Sequence, residues 1–360
     1  MSATNLDASD LHLTNLDGVI NESVLQAIFD ISNVELPFTQ RAAMGTHDNQ
    51  YTSWRMDKLN APVITGQLVD GQVVTTEDNV TKVGRRVGNH SEIRGLRIEV
   101  STRAQKVDTI GYANEHAYQI SRRNIELRRN VEATLLSNNA SVRGTDTVAG
   151  QAAGMAAWLT TFDVDGNADA TENVILGALG VVGGWDAGAG PADQLVAAAV
   201  PGTATALTES NIRIVSESIY DNGGEARVAM MTPKVKTLFS AFLFTDAARI
   251  ATMQNFEPGG SARERKAQGS VDLYISDFSA LQLIPNRMQP IAGAADESNL
   301  FLFDFSMLEL SFLQGYNVIP LTKDALSNNS FISVDYTLRV KNWDSSGYIG
   351  DIDETTAMVA

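Results

Sequence analysis

Cysteine occurs nowhere in the 360 residues. That absence removes disulfides, thiolate nucleophiles, cysteine-held iron–sulfur clusters and cysteine zinc sites together. Histidine is nearly as scarce, with four copies. His12, His47, His90 and His116 never stand three or four residues apart, and no His-Glu-x-x-His run exists, so surface or capping roles are expected for all of them. The 28 glycines contain no Gly-x-x-x-x-Gly-Lys loop, no dinucleotide fingerprint and no Gly-x-Ser-x-Gly elbow. Asp163-Val164-Asp165-Gly166-Asn167-Ala168-Asp169 is like a calcium loop only in composition. Its Gly166 stands fourth instead of sixth, and Val174 occupies the twelfth position, where a bidentate Glu is needed. No catalytic, cofactor-binding or metal residue is nominated, and no enzyme is expected. No apolar run reaches the ~20 residues of a membrane helix. The N-terminus lacks the basic and apolar regions of a signal peptide.

What is present is a folded, acidic chain. Hydrophobic residues make up 44%, enough for a sizeable core, and the net charge is −16. The charge is unevenly laid out. Residues 1–40 hold six acids and no Lys or Arg, whereas residues 80–143 hold twelve of the 27 basic residues against six acids. After Lys341 the acids Asp344, Asp351, Asp353 and Glu354 have no basic neighbours. Three readings stand side by side: a solvated surface, basic segments meeting acidic segments of neighbouring copies, and a nucleic-acid patch. The last lacks interleaved aromatics and a recognisable module.

Along the chain, residues 1–50 read as an arm with thinly spread apolar residues and a short helix over 21–30, where Val24, Leu25 and Ile28 share a face. Residues 51–105 read as an extended polar hairpin with little core, with strand-like pieces at 61–65, 69–74 and 85–100. The strongest helix signal runs from Asn114 to Asn138. Ala117, Ile120, Leu127, Val131 and Leu135 form one stripe, Asn114 is the N-cap, and Arg122–Glu126 and Arg128–Glu132 are four-residue ion pairs. Residues 140–206 read as turns, loops and one or two short helices anchored by Trp158 and Trp185.

From Thr208 the pattern is α/β. A helix capped by Thr208 is stopped at Gly223-Gly224, a strand covers 227–231, and a helix opens at Pro233 with Leu238, Phe239, Phe242 and Leu243 on its apolar side. A loop over 255–268 follows. Strands are expected at 271–275, 281–284, 299–305, 308–312 leading into 316–321, and finally 331–340 as the last element.

Val87-Gly88-Asn89-His90-Ser91-Glu92-Ile93, Glu115-His116-Ala117-Tyr118-Gln119, Glu126-Leu127-Arg128-Arg129-Asn130-Val131-Glu132 and the stretch from Ala149 to Leu159 occur in that order. With them the chain resembles the major capsid proteins of tailed double-stranded DNA bacteriophages, which have the Hong Kong 97-type fold. It is most similar to a podovirus and siphovirus branch of those head proteins, over about 85–160. The resemblance implies an α+β fold with an N-terminal arm (1–50), an extended loop over a neighbouring subunit (51–105), and a peripheral domain (106–205) with its spine helix at 114–138. It further implies an axial domain (206–320) and a return to the peripheral domain with a C-terminal tail (321–360).

The implied function is self-assembly, without catalysis or cofactor, as pentamers and hexamers into an icosahedral head around double-stranded DNA, after procapsid maturation. The implied partners are other copies, a portal, and a separate scaffolding or cement protein, with weak nonspecific contact to packaged DNA and none to membrane. The implied location is the virion, with the host cytoplasm before assembly. No scaffolding or protease-removed segment is expected ahead of residue 1, and no crosslink is expected at Lys58 or Lys82. Candidates for intersubunit contact are Lys82, Arg85, Arg86, Arg94, Arg97, Arg103, Arg122 and Arg129. Three alternatives remain: an encapsulin-like cellular nanocompartment shell, a soluble enzyme with a pocket in 140–206, and a minor head or decoration protein, which the length and the long helix disfavour.

Overall fold

The computed structural model describes residues 32, 34–59, 62, 64, 70–71, 73, 84–107, 114–161, 173–186, 195–243, 271–289, 297–323 and 326–358. The expected helix at 21–30, the calcium-like turn and the 255–268 loop lie outside them. So do most of the strand-like pieces at 61–65 and 69–74, of which Pro62, Ile64, Asp70, Gly71 and Val73 are described and belong to no strand.

A four-stranded sheet has the order β1 (Ala43–Thr46), β12 (Leu308–Pro320), β13 (Ser327–Val340) and β4 (Glu92–Ser101). The first pair is parallel and the others antiparallel, with β13 and β4 in unbroken register from Ser327 opposite Ser101 to Tyr336 opposite Glu92. The helix α1 (Glu115–Leu135) packs across β4 and β13. It starts where expected, because the Asn114 side chain accepts a bond from the Ala117 N–H at 3.2 Å, and it buries Leu127, Val131 and Leu135. It stops three residues short of the expected end, where Ser137 Oγ takes the Thr134 carbonyl at 2.7 Å. A separate two-stranded ribbon joins β2 (Tyr51–Met56) to β3 (Arg85–His90).

The second sheet has six strands: β5 (Val174–Ile175), β14 (Gly347–Asp353), β11 (Glu297–Phe303), β8 (Val228–Met231), β10 (Ala280–Pro285) and β9 (Leu273–Ile275). Both faces are covered. In β8 and β11, Ala229, Met231, Leu300 and Leu302 face α3 (Glu209–Asp221) and α4 (Pro233–Leu243). Their alternate neighbours Val228, Met230, Phe301 and Phe303 join the main core with α1 and the four-stranded sheet. This two-sided burial explains why β8 and β11 read as continuous apolar runs. Thr208 caps α3 through the Asn211 N–H at 3.1 Å, and Gly223 leaves the helix at φ +83°.

Residues 140–206 contain α2 (Met155–Leu159) and the pair β6 (Gly184–Asp186) and β7 (Leu195–Ala197) besides β5. All four tryptophans of the chain meet beside α2: Trp54 and Trp158 at 5.5 Å between ring centroids, Trp158 and Trp343 at 6.2 Å, and Trp185 and Trp343 at 6.4 Å.

Three expectations are corrected. Residues 331–340 are not the last element, because β14 follows and inserts between β5 and β11. In sequence its Asp351 and Asp353 read only as part of an acidic tail. Asp351 instead holds φ +54°, and its carboxylate accepts the Gly177 and Gly202 N–H groups at 3.0 and 2.7 Å. β12 lies on the sheet under α1, while β14 returns to the six-stranded one. Residues 85–101 are not poor in core: Val87, Ile98 and Val100 are buried, and β4 is hydrogen-bonded along its length to β13.

Finally, Glu132 does not pair with Arg128. It is fully buried and takes four donors: Phe38 N–H (2.8 Å) and the Asn286 amide (2.9 Å) on Oε1, and Thr39 N–H (2.8 Å) and hydroxyl on Oε2. Arg128 lies over the Tyr316 ring instead, 5.0 Å from its centroid.

Removing the Glu132 carboxylate strands four donors. Glu132→Ala is expected to lower folding stability by about 3 kcal/mol or more, given ~1.5–3 kcal/mol for each bond to a charged group. Thr39→Ala should cost less than half as much. Urea unfolding of the three proteins checks the order, and equal midpoints would contradict it.

Candidate assembly surface

The motifs singled out in the sequence meet in space as a joint. Asn89 Oδ1 accepts the Ala153 N–H at 3.1 Å, and its Nδ2 donates to the Leu338 carbonyl at 2.9 Å, so one buried amide ties β3 to the 149–159 stretch and to β13. Glu92 accepts the Ala152 N–H at 3.3 Å and pairs with Arg94. Thr337 Oγ1 donates to the His90 carbonyl at 2.8 Å. Gly154 is required by close approach, since a Cβ there would stand 2.1 Å from the Ser137 carbonyl oxygen. These groups position backbone and are already bonded to one another, an arrangement that builds shape.

Two histidines depart from the surface roles expected of them. His47 is buried, its Nδ1 3.1 Å from Ser311 Oγ. His90 is buried against the Tyr51 ring at 4.9 Å. Burial lowers both pKa values, and Arg339 near His47 and Arg143 near His90 push in the same direction, with Asp48 opposing at His47. His116 sits on α1 with Nε2 3.0 Å from Ser330 Oγ, and His12 is outside the described residues. Among the described residues no three His, Asp or Glu side chains cluster as a metal site.

The basic candidates separate into two groups. Arg94 is engaged with Glu92, Arg97 with Glu99 at 3.2 Å, and Arg122 with Glu126 at 3.9 Å and the Tyr118 hydroxyl at 3.3 Å. Arg86 donates to Ser53 Oγ at 3.0 Å, and Arg85 lies 5.7 Å from the centre of the Trp185 ring. Arg103 and Arg129 make no ion pair with any described residue, and Lys82 lies outside the described residues. The structure therefore does not gather these residues into one site. Among the described residues, Arg103 and Arg129 have no ion-pair partner.

Apolar exposure marks surfaces that the sequence reading missed. Leu59, Ile64 and Val73, in the excursion between β2 and β3, are 95%, 88% and 79% exposed. On the edge strand β9, Leu273 and Ile275 face outward while Tyr274 between them is buried. Nearby, the tilted rings of Tyr220 and Phe278 meet at 5.6 Å between centroids beside a cleft of about 490 Å³. The Leu-Tyr-Ile alternation of β9 was the available signal. Such patches suit protein–protein contact.

The model of the SU10 major capsid protein family matches residues 4–353. No curated protein sequence matches. Among solved structures, the capsid of cyanophage A-1(L) has a TM-score of 0.62 at 13% identity, covering 94% of this chain and 99% of that one. The capsid of a native GTA particle scores 0.55 at 11% identity, over 94% and 98%. The holo-SrpI encapsulin complex from Synechococcus elongatus PCC 7942 scores 0.50 at 10% identity, over 94% of both chains.

The buried neutral histidines carry a pH prediction. Their folded pKa values lie below the unfolded value of about 6.5, so the unfolded chain binds protons first as pH falls. Stability is fully present above pH 6.5 and declines below it. Thermal melts should shift downward from pH 7.5 to 5.5, and His47→Gln with His90→Gln should flatten that slope. A melting temperature independent of pH in the native chain over that interval would refute the linkage.

Proposed function

The chain belongs to the SU10 major capsid protein family, and from that premise we propose that its copies assemble as pentamers and hexamers into the icosahedral head enclosing a phage double-stranded DNA genome. It is a bacteriophage major capsid protein with the Hong Kong 97-type fold. The observation that carries the reading is the family match over nearly the whole chain.

In this reading α1 and the four-stranded sheet form the peripheral part. The six-stranded sheet with α3 and α4 forms the axial part, around the five-fold and quasi-six-fold centres. The excursion between β2 and β3 is the extended loop, and the high exposure of Leu59, Ile64 and Val73 supports its burial by a neighbour. The acidic N-terminal forty residues supply charge complementary to Arg103 and Arg129. Net acidity keeps packaged DNA loosely held while local arginines touch phosphates. A portal and a separate scaffolding or cement protein complete the head. The chain passes from host cytoplasm to virion, and performs no catalysis.

A cellular nanocompartment shell is the second reading, favoured by the likeness to the encapsulin over 94% of both chains. Negative-stain microscopy and analytical ultracentrifugation of the purified chain, alone and co-expressed with neighbouring genes, address both. Closed shells or rings of five and six are expected, with genomic DNA in native particles. Protein cargo in place of DNA would favour the nanocompartment, and a folded chain that stays monomeric under every condition would overturn both.

Reversing the two open charges, Arg103→Glu with Arg129→Glu, should reduce the yield of shells at least tenfold. The change in folding stability should stay within ~0.5 kcal/mol, as for surface substitutions. Unchanged assembly would remove these arginines from the contact.

A further inference from the structure

The six-stranded sheet is covered unequally. Tyr274, Leu281 and Leu283 of β9 and β10 turn toward α3 and α4, where Tyr274 meets the Phe239 ring edge-on at 5.3 Å between centroids. Successive strand residues point to opposite faces, so Leu273 and Ile275 point away from these helices. On that second face the main core takes in Val228, Met230, Phe301 and Phe303 of the inner strands and Ile284 of β10, and includes no residue of β9. Leu273 is 54% and Ile275 73% exposed, and their cross-strand neighbours Gln282 and Ala280 are exposed as well. The outer edge of the sheet therefore carries a bare, largely apolar face.

The helical side of the same layer holds a counterpart. Tyr220 on α3 and Phe278 in the turn between β9 and β10 are both exposed and edge the cleft of about 490 Å³. Ile219, Gly223, Gly224 and Ala226 form its wall, so it has an apolar lining and room for a branched side chain. Glu217 and Asp221 are exposed on α3 beside it, with no ion-pair partner among the described residues. Arg287, just past β10, is exposed and equally unpaired among them. The bare edge and the cleft lie on opposite faces of one layer, so a copy cannot fill its own cleft with its own edge. Two different patches that match each other make a heterologous contact, in which every copy gives one face and receives the other, and such a contact closes into a ring when the rotation allows.

We propose that Leu273 and Ile275 of one copy seat in the cleft edged by Tyr220 and Phe278 of a second copy, with Arg287 of the first facing Glu217 and Asp221 of the second. The apolar side chains supply the contact, and the opposite charges select its direction. This rests on the assembly reading and adds to it which two faces meet.

The absence of native cysteine makes the test clean. Gln282→Cys, opposite Leu273 on the bare face, and Ser279→Cys, in the cleft, are made in separate proteins. Mixed under conditions that give rings or shells and treated with a short bismaleimide, they should form a linked dimer whose joined peptide holds both positions by mass spectrometry. Either protein alone should form none. Rings or shells without this link would overturn the proposal and leave the assembly reading standing. Links in one protein alone would overturn it by joining like faces, and a chain that never assembles would sink both.

Ile275→Asp should cut the yield of rings and shells at least tenfold while the thermal melt of the free chain stays in place. Unchanged assembly in that variant would overturn the proposal. Glu217→Arg with Asp221→Arg should also lower the yield at least tenfold, and adding Arg287→Glu should restore most of it. A charge reversal without effect, or one that Arg287→Glu leaves unrepaired, would overturn the charge pairing across the contact.

Discussion

One buried carboxylate sets the geometry on which the remainder rests. Glu132 sits on α1 facing inward, without an ion-pair partner among the described residues, and its charge is held by four hydrogen-bond donors. Two of them are the free N–H groups of the turn at 38–39, where Arg41 and Ala42 already bond back to the Phe38 carbonyl. The carboxylate therefore caps the start of that turn, as an acid caps a helix N-terminus. The Asn286 amide comes from the end of β10, and its own backbone N–H bonds to the Met231 carbonyl. Helix, N-terminal segment and six-stranded sheet thus converge on one side chain. An ionised group buried at such cost is tolerated only when every lone pair is used, which makes its position exacting.

The two sheets are coupled by the same principle on a larger scale. Because β8 and β11 send alternate residues to opposite faces, the six-stranded sheet belongs to two cores at once. On one side it closes a small unit with α3 and α4. On the other it is welded to α1 and the four-stranded sheet through Phe301, Phe303 and Phe38, the last 5.3 Å from Phe303. Strand β11 lies in the six-stranded sheet, β12 and β13 in the four-stranded one, and β14 in the six-stranded one again. The chain is thereby threaded from one sheet into the other, while Leu59, Ile64, Val73 and the outer side chains of β9 stay exposed.

Much of this was legible where local rules dominate. The starts of α1, α3 and α4 follow from Asn114, Thr208 and Pro233, and β8 and β10 from short apolar runs. What escaped depended on contacts distant in sequence. Nothing near Glu132 announces that Phe38 and Asn286 will reach it, and its spacing from Arg128 suggests an ordinary surface pair. β14 was hidden because Gly347, Gly350 and Asp351 carry turn chemistry, yet they are needed for close approach and a left-handed residue inside a sheet. The motif at 87–93 was legible as a family mark. Its physical meaning appears only when Asn89 is seen holding Ala153 and Leu338. The fate of each arginine was equally unreadable, since neighbours such as Glu92, Glu126 and Trp185 decide whether it is spent within the chain.

The tryptophans have an optical consequence. Trp54, Trp158, Trp185 and Trp343 come from four separate segments, and their successive ring centroids lie 5.5–6.4 Å apart. Indoles at that spacing share excitation, so the ultraviolet emission of the chain is the signal of one place, the junction of β2, α2, β6 and the turn before β14. Light from this protein reports whether those four segments have come together. It is almost blind to what the outer surface touches.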